Sequence, residues 1–129
     1  MADIGLLIIR LIVGLTFMGH GAQKLFGWFG GHGLKGTAGW LESIGIRPGL
    51  LMAVLAGLGE LIGGALFASG ILMTFASFLI VVTMLVGIFM VHGKNGYWAT
   101  QGGFEYNLVL IAVAIGLALT GPGSYIPWG

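Results

Sequence analysis

The chain has 129 residues, 57% of them hydrophobic and only 7% charged, with a formal net charge of +1. Soluble domains carry about 25% charged residues, so this composition excludes an ordinary water-facing fold and points to a single lipid-embedded domain spanning 1–129. Lys and Arg are few and scattered, which excludes nucleic acid as a partner, and the absence of cysteine excludes disulfides, thiolate metal sites and thiol nucleophiles.

A helix needs about 20 apolar residues to cross ~30 Å of hydrocarbon. Four stretches approach or reach that length: Ile4–Phe26, Pro48–Ala68, Ile71–Val91 and Phe104–Thr120. The predicted fold is therefore an all-α integral membrane protein, a bundle of four transmembrane helices. The first stretch follows Asp3 and has neither a basic leader nor a small-residue cleavage site, so it reads as a retained helix. In the loop after it, Trp28, Phe29 and Trp40 suit the headgroup level of a bilayer. Leu34, Ala38, Leu41 and Ile44 recur at helical spacing, with Lys35 and Glu42 off that stripe, which predicts a short interfacial helix. Pro48 marks a helix start. Only Ser69-Gly70 separates the second and third stretches, so those helices form an antiparallel hairpin. Gly121-Pro122-Gly123 stops the fourth. Lys24, Lys35, Arg47 and Lys94 all fall on the side of the two long loops, which predicts those loops in the cytoplasm and both termini outside.

Ionisable residues within a span are costly and therefore informative. Counted from the helix ends at ~1.5 Å per residue, Arg10 and Glu60 lie at similar depth in antiparallel neighbours, and a buried Arg10–Glu60 ion pair is expected. Gly14, Phe17, Gly21 and Lys24 share the face of Arg10. Gly57 and Gly64 share that of Glu60, and Gly59-x-x-x-Gly63 offers a second close-approach surface. Such a pair either fixes helix packing or carries a function.

A second polar group gathers at the loop end: His20, Gln23 and Lys24 closing the first span, His92 closing the third, Glu105 and Asn107 opening the fourth. Glu105 suits the positive end of its own helix, and Lys24 can simply snorkel. Together these side chains have the chemistry to hydrogen-bond a quinone head group and exchange its protons. Two histidines on different helices also suggest axial haem ligation, although hydrogen-bonded interfacial histidines are the commoner explanation. No motif encodes a cofactor or metal cage, and the methionines read as packing groups.

The motifs Arg10-x-x-x-Gly14, His20-Gly21-x-x-Lys24-Leu25-Phe26-Gly27, Glu60-x-x-Gly63-Gly64, Asn95-Gly96-Tyr97-Trp98 and Gly102-Gly103-Phe104-Glu105-Tyr106-Asn107 run through nearly the whole chain. In these the sequence resembles the DoxX family of small four-helix bacterial membrane proteins. It departs at the end, where Ser124-Tyr125-Ile126-Pro127-Trp128-Gly129 replaces a Ser-x-Asp common in relatives. The resemblance implies a bacterial inner-membrane protein acting as a quinone-linked oxidoreductase component, with electrons supplied by a soluble or membrane partner or by the substrate. Two other readings stand beside it: a non-catalytic scaffold that docks such a partner through the aromatic loops, and a small transporter that would need a homo-oligomer to form a pathway.

Overall fold

A computed structural model describes residues 1–123, and the Ser124–Gly129 tail lies outside the described residues. Five α-helices follow in chain order: α1 (Ala2–Phe26), α2 (Gly33–Ser43), α3 (Gly49–Ser69), α4 (Met73–Gly87) and α5 (Glu105–Thr120). Beyond Gly87, α4 widens into a π turn over Ile88–His92 and ends in a tight turn at Gly93–Asn95. Ala2–Phe26, Gly49–Ser69 and Met73–Asn95 are long and apolar enough to cross a membrane. The shorter α5, of 16 residues, runs ~24 Å and shares its core with the other three. The protein is an all-α multi-pass membrane bundle of four helices, with α2 as a fifth, shorter element against α1 and α3.

The joins explain the bounds. Gly27 closes α1 in a left-handed conformation that returns its N–H to the Gln23 carbonyl. Gly70 does the same for α3 (φ 79), and Leu72 is also left-handed (φ 48), so the chain turns through 70–72 and α4 begins at Met73, two residues after the apolar run itself starts. In α2 the stripe behaves as its spacing predicts. Leu41 and Thr37 are buried, Leu34, Ala38 and Ile44 are half-buried, and Lys35 and Glu42 are exposed. Glu42 Oε2 accepts the Gly49 N–H at 3.1 Å, providing an acceptor for one of the amides that α3 leaves open at its start.

Lipid is as apolar as a helix surface, so contact between spans comes from close backbone packing. A Cβ on Gly14 would lie 2.6 Å from the Gly64 carbonyl oxygen and the Ala68 nitrogen, and one on Gly21 would lie 2.7 Å from the Gly57 oxygen and the Leu61 nitrogen. Gly64 returns the contact, its missing Cβ 2.5 Å from the Gly14 oxygen. The other glycine face of α3 meets α4, where a Cβ on Gly63 would sit 3.2 Å from that of Leu79. Phe17, Phe67, Met73, Ala76, Ile80, Leu110, Ala114 and Leu117 fill the space between the four spans. Ile8, Ile12, Leu15, Phe78 and Phe89 point outward, as a surface facing hydrocarbon requires.

Candidate functional site

The glycine contacts fix how far α1 slides along α3, and that register decides which charges meet. Gly14 lies against Gly64 and Ala68, and Gly21 against Gly57 and Leu61. Arg10, one turn before Gly14, is thus level with the last turn of α3, whereas Glu60 is level with the region around His20. The two are about ten residues, or roughly 15 Å, apart along the α1 axis. The expected Arg10–Glu60 ion pair is not formed: counting depth from helix ends treated those ends as aligned, but α1 starts well beyond the end of α3.

Arg10, 2% exposed, instead closes the C-terminus of α3. Its Nη2 and Nε donate to the Ala68 carbonyl at 3.1 and 3.4 Å, and Nη1 donates to the Pro122 carbonyl at 2.8 Å. The Leu66 and Phe67 carbonyls are already taken by the Gly70 and Ile71 amides. Ala68 offers one of the end carbonyls that lack an intrahelical donor, at the negative pole of the helix. Gly121 (φ 84) breaks α5 so that Pro122 reaches the same guanidinium. Arg10 therefore ties α1, the end of α3 and the exit from α5 together.

At the loop end the partner of Glu60 is Lys24, whose Nζ forms an ion pair with Oε1. The carboxylate side chain is 3% exposed and that of the lysine 32%, so a buried anion is covered by a cation that reaches outside. Lys24 was expected in the polar group but with no partner across the bundle. The matching seven-residue spacing of Gly14/Gly21 and Gly57/Gly64 is the signal that would have found it, because it sets the slide before any depth is counted.

One turn before Lys24, His20 Nδ1 lies 3.2 Å from Gln23 Oε1, and Gln23 Nε2 donates to the Phe29 carbonyl at 3.2 Å. Phe29 holds left-handed backbone angles (φ 53, ψ 37), rare for a residue with a Cβ. Gly31 lies against Gln23, where a Cβ would come within 2.4 Å of the Gln23 Cβ. On another face of α1, Leu15, Met18, Ala22, Trp28, Phe29 and Leu61 line an apolar groove of about 420 Å³.

The remaining predicted residues lie between α4 and α5. His92 Nδ1 and Asn95 Nδ2 both bond the Gly102 carbonyl, at 2.8 and 3.1 Å. Glu105 Oε1 accepts the Ala99 N–H at 3.0 Å, so it orders the preceding loop through that amide. Asn107, 5% exposed, donates to the Met84 carbonyl at 3.2 Å. It approaches α4 over Gly87, where a Cβ would be 2.8 Å from its Nδ2 and 4.0 Å from His92 Cδ2. Among the described residues no hydrogen bond or ion pair joins this group to His20, Gln23, Lys24 and Glu60. The predicted cluster is thus two groups at one end of the bundle. No set of three or more His, Asp or Glu side chains suited to a metal ion occurs among the described residues.

The α1 group thus sets an imidazole, an amide and a cation beside a buried carboxylate, and the α4–α5 group sets an imidazole, an amide and a carboxylate around its loop. Comparison with known proteins gives the context. The DoxX family model matches residues 5–93. The chain is 34% identical over 92% of its length to a Bacillus subtilis protein named "Putative oxidoreductase CatD", covering 81% of that protein. It is 27% identical over 91% of its length to an uncharacterized membrane protein of Mycobacterium tuberculosis, covering 75% of it. No solved structure matches. With the family pattern running from α1 through the π turn after α4, the chain belongs to the DoxX family.

Proposed function

We propose that this protein is the quinone-interacting membrane subunit of an oxidoreductase in the bacterial inner membrane, with the loops in the cytoplasm and the termini outside. Family membership and the name of the Bacillus subtilis relative support an oxidoreductase-associated role. Exposed Lys35, Arg47 and Lys94 on the loop side support the orientation.

The observation that carries the head-group site is the Lys24–Glu60 pair. A carboxylate this buried is retained at a cost in lipid, and its partner is a flexible ammonium that a ligand oxygen can share. In this reading His20, Lys24, His92 and Asn107 contact the ring. Gln23 and Glu105 hold the surrounding loops through Phe29 and Ala99. Electrons come from a partner protein or from the substrate.

The test is equilibrium titration of the purified protein in nanodiscs with short-chain ubiquinone and menaquinone. Binding is expected, and Lys24→Met should weaken it about tenfold, the worth of one charge-assisted hydrogen bond. Failure of the intact protein to bind either quinone defeats the proposal. The scaffold reading draws on the exposure of Trp28, Phe29 and Trp98, at 58%, 75% and 60%. A stable co-purifying partner whose turnover survives removal of Lys24 and His20 would favour it.

A further inference from the structure

We propose that the loop-end site prefers the reduced, dihydroxylated form of its ring ligand, because both histidines are locked with Nε2 as a bare hydrogen-bond acceptor. The inference rests on the quinone reading above and refines it.

For His20 the proton can be placed by elimination. A backbone carbonyl only accepts, so the part of the Gln23 amide 3.2 Å from the Phe29 oxygen is the NH2 group. That leaves Gln23 Oε1 facing His20. An amide oxygen also only accepts, so His20 Nδ1 carries the hydrogen. A neutral imidazole has one N–H, and Nε2 of His20 is then a lone pair to which no described residue donates.

His92 needs one step. Its Nδ1 lies 2.8 Å from the Gly102 carbonyl, so Nδ1 donates and Nε2 is again bare. The Cδ2 atom bonded to that nitrogen approaches the same point above Gly87 as the Asn107 amide. On α1, His20 sits one turn from Lys24.

A separate observation shows that the first relay is built into the loop. Phe29 is held in a left-handed conformation that is unfavourable for a residue with a Cβ, and this turn places its carbonyl on Gln23. Gly31 then lets the loop close onto the Gln23 side chain.

The chemical consequence follows from counting donors. A quinone ring presents two carbonyl acceptors, which a bare Nε2 cannot bond. The quinol presents two O–H donors, which it can. Lys24 can serve either form, because its ammonium donates to a carbonyl or a hydroxyl oxygen alike. A single hydroxyl–imidazole bond that the quinol can make and the quinone cannot gives the quinol a preference of about tenfold.

The experiment has two arms. Two-bond proton–nitrogen correlation spectra of the ¹⁵N-histidine-labelled protein in nanodiscs, at a pH where the imidazoles are neutral, read the tautomers, with His20→Ala and His92→Ala for assignment. Nδ1–H with bare Nε2 is expected at both sites. Gln23→Leu should give His20 mixed tautomers, and Gln23→Glu, which still accepts from Nδ1, should restore the single form. Anaerobic titration with short-chain ubiquinol and ubiquinone then reads the preference, expected about tenfold for the quinol and reduced in Gln23→Leu. An Nε2–H on either histidine, or ubiquinone bound as tightly as ubiquinol, overturns this inference and leaves the quinone reading intact. Binding of neither form removes both.

Discussion

At the terminal end of the α1–α3 pair, Arg10 is engaged by backbone carbonyls; at the loop end, Lys24 is engaged by a carboxylate. The carbonyls of Ala68 and Pro122 are fixed by the ends of two helices, and Arg10 is 2% exposed, so no ligand competes for it. Glu60 is a side chain on a single bond axis, and its partner's side chain is 32% exposed, so a ligand has a route to the pair. Similar charges on one face of one helix thus yield a clamp at one end and an exchangeable contact at the other. Between them, Gly14 and Gly21 allow backbone contact and hold both ends in register.

The clamp is the place to look for the largest effect. Arg10→Leu leaves the buried Ala68 carbonyl and the half-buried Pro122 carbonyl without their donors, at about 1–3 kcal/mol for a fully buried group and less for the other, and should cost up to ~4 kcal/mol in unfolding titrations. Arg10→Lys should recover only part, since an ammonium lacks the planar fork that reaches both carbonyls. A loss below ~1 kcal/mol for the leucine variant would break the contrast between the two ends. The register comes next. Gly14→Ala places a methyl 2.6 Å from two backbone atoms and should cost ~3 kcal/mol. Gly19→Ala, with nothing within 4 Å, should be neutral or slightly stabilising by helix propensity. Equal losses for the two would mean that the glycines do not set the slide.

These residues also show what was legible in the sequence. The spans, the hairpin at Ser69-Gly70 and the stripe of α2 follow from hydropathy and period, which are local properties. The inward face of α1 was legible too, and Arg10, Gly14, Phe17 and Gly21 are all buried. The partners of the charges were not legible by depth, because pairing depends on the slide between helices, and helix ends do not report it. The seven-residue glycine spacings do, and read first they place Glu60 near Lys24. The polar group at the loop end was legible as a set of residues but not in its division. His92 and Asn107 are organised by the π turn after Gly87, a widening that no periodic pattern announces. The relay through Phe29 depends on a left-handed residue that carries a Cβ, and nothing in a loop sequence marks it.

The smallest and most discriminating prediction concerns the exchangeable end, where the two halves of one ion pair should not be equivalent. Lys24→Met strands a carboxylate that is 3% exposed. Removal of one partner of a fully buried pair costs 3–5 kcal/mol, and the solvent reach of Lys24 lowers the figure here to ~2 kcal/mol. Glu60→Gln leaves an ammonium whose stem can carry it to the interface, and the amide oxygen still accepts, so the loss should be ~0.5 kcal/mol. The double variant Lys24→Met/Glu60→Gln should be more stable than Lys24→Met alone, because no unpaired charge is left behind. Thermal unfolding of the four proteins in one detergent measures the cycle. Equal losses for the two single variants would mean that burial is shared evenly across the pair, and Lys24 would then lose the outward reach on which its availability to a ligand depends.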